Sequence, residues 1–148
     1  MRLFALSMLI CLSGVLHISS AIAADPSDDP TATPYSSAGD VAAGEQLFKR
    51  CKACHLVTDE GRARPTGPRL YGLFGRTAGS LAEFKYYSKA LKKADHVWTE
   101  ERLYAFLEDP NAYVPGIKSA MRVQKITDQD KRKDLLAYLR QATALKNE

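Results

Sequence analysis

The sequence predicts an all-α domain with three main helices, one or two short ones, and long loops. Three observations lead there. Apolar residues recur at helical spacing in three separate stretches, beginning near Asp40, Thr99 and Thr127. No alternating apolar and polar run longer than four residues marks a strand. Between His55 and Ser88 the chain is rich in Gly, Pro and Arg, the composition of connecting loops. The chain has 148 residues, 45% hydrophobic and 26% charged, enough for one domain and unlike a disordered chain.

Taken in order, the first element is not part of the fold. Arg2 supplies a positive start, Leu3 to Leu16 is almost continuously apolar, and Ala21-Ile22-Ala23 has the small-x-small form of a cleavage site. Residues 1–23 therefore read as a secretory signal peptide. The alternative is an uncleaved membrane anchor, for which the apolar run is short against the ~20 residues of a span. Cys11 falls within this leader. Residues 24–39 carry Pro26, Pro30 and Pro34 among Ser, Thr and Asp, a flexible linker with little to bury. The domain proper is 40–148. It holds 20 Lys and Arg against 14 Asp and Glu, a net +6. That favours acidic partners. No arginine-rich helix or nucleic-acid motif accompanies the charge, so nucleic acid is not the expected partner.

Asp40 reads as the N-cap of the first helix, with Val41, Gly44, Leu47, Phe48 and Cys51 at helical spacing. On this reading its last turn delivers Cys51-Lys52-Ala53-Cys54-His55. A helical Gly costs ~1 kcal/mol relative to Ala, so Gly44 marks close approach of another backbone. A short helix is expected over Ser88–Ala94. Thr99 opens the next helix. Glu100 and Glu101 suit its first turn, and Trp98 and Leu103 stand at the positions of a hydrophobic staple. Leu103, Tyr104, Phe106 and Leu107 form its inner face, and Asp109-Pro110 ends it. Thr127-Asp128-Gln129-Asp130 has the form of a capping box before an apolar face of Leu135, Leu136, Tyr138, Leu139 and Ala142. The first and last helices are expected to cross at Gly44.

Without the leader, the only cysteines are Cys51 and Cys54. A thioredoxin-type pair needs a βαβ context, and a zinc site needs a second pair of ligands; neither is present. C-x-x-C-H reads as covalent attachment of one haem c, with His55 placed to bind iron. Such a group also explains the long loops, because it replaces missing core. For the sixth iron position the chain offers Met121, His96 or an open site. Met121 lies in a turn-rich loop after Tyr113-Val114-Pro115-Gly116, poor ground for a core residue and good ground for a ligand. His96, in Lys92-Lys93-Ala94-Asp95-His96, reads as a solvated surface residue.

Together these features resemble the class I cytochromes c, of the mitochondrial and bacterial soluble type, over residues 40–146. The haem motif is similar, and Gly67-Pro68-Arg69-Leu70-Tyr71-Gly72-Leu73-Phe74-Gly75-Arg76 is more specific. Trp98, Tyr113-Val114-Pro115-Gly116 and Asp134-Leu135-Leu136-Ala137-Tyr138-Leu139 stand where that family has them, and Gly44 and Phe48 match its helix-crossing pair. The resemblance implies the class I fold around a haem c held by Cys51 and Cys54. It implies His55 as proximal ligand, fixed by the Pro68 carbonyl, and Met121 as distal ligand. Trp98, Arg76 and Tyr87, with Tyr86 as the alternative, would meet the haem propionates; an extra residue between Arg76 and Ala90 leaves two tyrosines for that place.

Two departures stand out. Pro115-Gly116-Ile117-Lys118-Ser119-Ala120-Met121 holds two residues more than the family's spacing, and Val123 stands where an aromatic residue is common. A labile methionine bond would follow, with Lys118 or Lys125 as replacement at high pH. The function implied is not enzymatic. It is single-electron transport by a periplasmic monomer, steered by cations at Lys49, Lys52, Lys85, Lys89, Lys92, Lys93, Lys118, Arg122 and Lys125. The expected partners are acidic redox proteins of respiratory, photosynthetic or substrate-oxidising chains: an oxidase, a bc-type complex, a reaction centre or a dehydrogenase. Membrane association is expected only if the leader stays uncleaved. The alternatives are a fixed cytochrome subunit of a periplasmic dehydrogenase or oxidase, and a ligand-binding or peroxidatic haem protein.

Overall fold

The computed structural model describes residues 38–62 and 64–145. The leader, its cleavage site, Cys11 and the linker up to residue 37 lie outside the described residues. Local capping chemistry sets the first helix, α1 (Val41–Phe48), because the Asp40 carboxylate accepts the Ala42 and Ala43 N–H groups at 2.7 and 3.0 Å. The helix ends earlier than its apolar spacing suggested. After Phe48 the chain tightens into consecutive turns: Cys51 N–H donates to Phe48 O at 2.8 Å, Cys54 N–H to Cys51 O at 3.0 Å, and His55 N–H to Cys51 O at 2.9 Å. The haem motif is thus carried by turns beyond the helix end, in which i→i−3 and i→i−4 bonds alternate.

The last helix, α5 (Gln129–Ala142), starts one residue later than a box capped by Thr127 would place it. Asp128 caps it, accepting from Asp130 and Lys131 N–H at 3.1 Å each. A carboxylate at that position serves both the free N–H groups and the helix dipole. α1 and α5 cross at Gly44 as expected. A Cβ there would lie 2.6 Å from the Asp134 carbonyl carbon and 2.8 Å from Tyr138 Cβ. One bond missed by the sequence reading fastens the crossing: Asp40 N–H donates to Asp134 Oδ1 at 2.7 Å. Phe48 adds a ring contact to Tyr138 at 5.3 Å.

Helix α2 (Lys89–Lys93) is capped by Ser88, and α3 (Glu100–Glu108) by Thr99, whose hydroxyl accepts Arg102 N–H at 3.2 Å. The inner face of α3 is buried where predicted, at Leu103, Tyr104, Phe106 and Leu107, with the staple residue Trp98 beside it. Asp109-Pro110 does end α3, but it also starts a helix the sequence did not announce. Pro110 takes the first position of α4 (Pro110–Tyr113), where it lacks no needed donor, and Asp109 caps it. A single 3-10 turn, Ala120–Val123, carries Met121. Among the described residues there is no strand, only an isolated bridge between Thr77 and Val97. Bonds from Gly75 N–H to Trp98 O and from Trp98 N–H to Arg76 O, each 3.0 Å, extend that tie between the glycine-rich loop and the start of α3.

Candidate haem-binding site

The turns after α1, the loop after Gly67, α3, the methionine turn and α5 surround one cavity, about 1230 Å³ measured out to its open mouth. Its interior is apolar. Phe48, Leu73, Leu103, Leu107, Leu135 and Leu139 border it, all buried. Cys51, Cys54, His55 and Met121 border the same space, so the turn sequence brings together the residues singled out for attachment and ligation. Cys51 and Cys54 form no disulfide, and burial favours the neutral form of the Cys51 sulfur by pushing its thiol pKa up.

His55 is held at one nitrogen. Its Nδ1 lies 2.7 Å from Pro68 O, the bond the resemblance implied, which sets Nδ1 as donor and leaves Nε2 as the lone-pair nitrogen. Burial holds the imidazole below its usual pKa, partly offset by that carbonyl. A neutral ring is what a metal needs. Gly67 allows the close approach: a Cβ there would sit 2.8 Å from His55 Cε1.

Arg76, Tyr87 and Trp98 also border the cavity. Arg76 donates to Arg69 O at 2.9 Å and to Tyr71 O at 3.0 Å. Burial raises the Tyr87 hydroxyl pKa, opposed in part by Arg76, so the phenol stays a proton donor facing a cation. Tyr86 is 70% exposed at the cavity mouth. Of the two tyrosines, only Tyr87 combines burial with an arginine neighbour. Lys118 borders the cavity, whereas Lys125 is paired with Asp109 at 2.6 Å.

His96 is not the solvated residue its polar neighbours suggested. Its Nδ1 lies 3.3 Å from Ala94 O, its ring meets Trp98 and Tyr113 edge to face, and its Nε2 is buried without a protein partner. The aromatic cluster of Trp98, Phe106 and Tyr113, assembled by α3 and α4, claims it. It does not border the haem cavity. Sequence reasoning also passed over Arg69. Its guanidinium donates to Thr58 O, Glu60 O and Gly61 O at 2.6–2.9 Å and meets Glu83 at 3.1 Å, pinning a loop next to the Pro68 carbonyl. No spacing rule marks such a residue, because its partners are backbone carbonyls of an irregular loop.

An open apolar cavity with two thiols, a neutral imidazole fixed at one nitrogen, a thioether, and an arginine–tyrosine pair for carboxylates is the donor set haem c requires. The family profile described as Cytochrome c matches residues 41–143. The chain belongs to the class I cytochromes c. It is similar to cytochrome c of Chlamydomonas reinhardtii, 47% identical over 108 residues that cover 72% of this chain and 93% of that one. It is also similar to cytochrome c2 of Blastochloris viridis, 41% identical over 109 residues, 74% of this chain and 83% of that one. Among solved structures, cytochrome cH from Methylobacterium extorquens matches with 41% identity and a TM-score of 0.60, covering 70% of this chain and 99% of that one. This cytochrome c therefore carries haem c bound through Cys51 and Cys54, and acts as an electron carrier with redox partners and not as an enzyme.

Proposed function

We propose that this cytochrome is a periplasmic, monomeric single-electron shuttle, with His55 and Met121 as the iron ligands and residues 1–23 removed on export. The observation that carries the ligand assignment is the convergence of His55, fixed through Pro68, and Met121 on the cavity that holds Cys51 and Cys54. The domain proper is 40–148, with 24–39 as its linker. Haem, when bound, supplies a one-electron iron couple; a His/Met ligand pair raises its potential relative to bis-His.

The protein's own part is positional. Pro68 holds the His55 ring in one tautomer and orientation. The apolar walls exclude water, which keeps the surroundings nearly unchanged by the charge change. Arg76, Tyr87 and Trp98 offer donors to the propionates, and Ser119, whose hydroxyl accepts Met121 N–H at 3.3 Å, sets the start of the methionine turn. At the mouth, Lys118 and Tyr86 stand open to a partner. Lys49, Lys52, Lys85, Lys89, Lys92, Arg122 and Lys125 are likewise exposed. Their charge favours brief encounters with acidic surfaces of an oxidase, a bc-type complex, a reaction centre or a dehydrogenase.

The test is the absorption spectrum of the oxidised holoprotein. A weak long-wavelength band from methionine sulfur on ferric haem is expected, and Met121→Ala should abolish it. Absence of the band in the wild type overturns the Met121 assignment. It would favour a ligand-binding haem protein, for which the 65% exposure of Val123, the last residue of the methionine turn, is the supporting observation.

A further inference from the structure

A second depression, about 980 Å³ measured out to its open mouth, lies between α2, α3 and α4 and shares no lining residue with the haem cavity. Its walls are apolar, from Ala90, Ala94, Val114 and Pro115. Also lining it are Lys93 from the end of α2, Arg102 from α3, Tyr113 from α4, and His96. The cations are not spoken for. The ion pairs among the described residues engage Arg69, Lys125, Lys131, Arg132, Lys133 and Arg140, and neither Lys93 nor Arg102. Arg102 has one bond, from Nη1 to Val97 O at 3.1 Å, which fixes the guanidinium while leaving its other donors. It is close enough to act electrostatically on both the His96 ring and the Tyr113 hydroxyl. His96 Nε2 is one of two buried side-chain polar atoms among the described residues with no protein partner. With Nδ1–H turned to the Ala94 carbonyl, Nε2 carries the lone pair of the neutral ring and can serve an anion only once the ring is protonated.

Two unpaired positive charges, one of them a planar guanidinium fork, and a phenol line a cup that has no carboxylate in its lining. That chemistry suits a tetrahedral oxyanion, whose several oxygens can accept from all three groups at once. The apolar walls and the size leave room for the organic part of an ester. We propose that this cup binds a phosphoryl group, held by Lys93 and Arg102 with Tyr113 as a third donor. The group is supplied either by a soluble phosphate or by a phospholipid headgroup.

Linkage supplies a second readout. His96 is faced by Lys93 of α2, Arg102 of α3 and Tyr113 of α4, with Asp95 next to it in the chain. Burial and Arg102 both hold the imidazole neutral, against the Ala94 carbonyl. An anion seated on Arg102 removes part of that opposition, so binding raises the proton affinity of His96, and protonation strengthens binding by the same factor.

The experiment is an NMR titration of the reduced holoprotein with inorganic phosphate, at ionic strength held constant by sodium chloride. Expected are saturable shifts at His96, Arg102 and Tyr113, and a higher His96 pKa with phosphate than without. Lys93→Glu and, separately, Arg102→Gln should each weaken binding at least tenfold, while a change at an exposed arginine elsewhere, Arg62→Gln, leaves it unchanged. Lys93 is exposed and makes no bond that the fold depends on, so its variant keeps the test valid if Arg102→Gln perturbs Val97. A second arm uses phosphatidylcholine vesicles with and without phosphatidylglycerol. Loss of vesicle binding in Lys93→Glu assigns the headgroup as ligand, and phosphate shifts with no vesicle binding assign a soluble phosphate. Shifts that fail to saturate, that persist in both variants, or that leave the His96 pKa unchanged overturn the proposal.

Discussion

Gly44 shows how much a missing side chain can decide. Its neighbours across the helix crossing are backbone of Asp134 and the Cβ of Tyr138, so nothing flexible can yield to an added methyl group. Gly44→Ala gains up to ~1 kcal/mol of helix propensity. Overpacking against a rigid neighbour costs ~1–3 kcal/mol, and here it should dominate, read as a lower urea midpoint with unchanged slope. His96 gives the pH-dependent counterpart. Its folded pKa is depressed by burial, so the unfolded chain binds the proton more tightly. Stability from this residue is fully present above the ordinary histidine value of about 6.5 and is lost as pH falls from there through the lower folded value. The fall in urea midpoint between pH 7 and pH 5 should therefore be smaller in His96→Leu than in the wild type; an equal fall would show that His96 titrates as in water. Gly44 was legible in the sequence because a helical glycine violates a local rule. His96 was not, because Lys92, Lys93 and Asp95 around it are polar while its contacts, Trp98 and Tyr113, come from a fold not yet known.

At the scale of elements, beginnings were more legible than ends. Asp40 and Thr99 cap their helices as read, and the short helix expected over Ser88–Ala94 starts just after Ser88, since a cap is an interaction between a side chain and N–H groups two or three residues on. The end of α1 and the existence of α4 depend on turn geometry and on where Pro110 could be used, which apolar spacing does not encode. The loop over 58–61 is a further case. It has no regular structure, yet Arg69 gathers three of its carbonyls with a guanidinium whose side chain is only 10% exposed. Arg69→Gln should cost ~1–3 kcal/mol, at about 1 kcal/mol per net hydrogen bond lost and little for the half-exposed Glu83 pair. Hydrogen exchange should speed up at 58–61 while the α1–α5 crossing is unaffected. Uniform acceleration across the domain would instead mark Arg69 as part of the global core.

For the whole molecule, the haem motif and the Gly67–Arg76 segment made both the cofactor and the family readable, because covalent attachment and a close glycine leave a fixed spacing in the chain. The shape of the cavity was not readable, since its walls come from residues as far apart as Phe48 and Leu139. The net +6 of the domain is readable and carries a prediction. Turnover with an acidic partner should fall as ionic strength rises from about 10 to 300 mM, as the Debye length shrinks from ~30 Å to well under 10 Å. A flat response would mean that contacts other than charge govern docking.

The cavity bordered by Cys51 and Cys54 has a consequence for mass action. A protein that borrows part of its core from a dissociable ligand has a stability set by how much free ligand surrounds it. Here the group that fills the interior is bonded to the chain, and unfolding cannot release it. The folding equilibrium of this cytochrome is therefore independent of dilution and of the surrounding supply of haem. A molecule that opens far from any source of fresh cofactor closes again around the one it already carries.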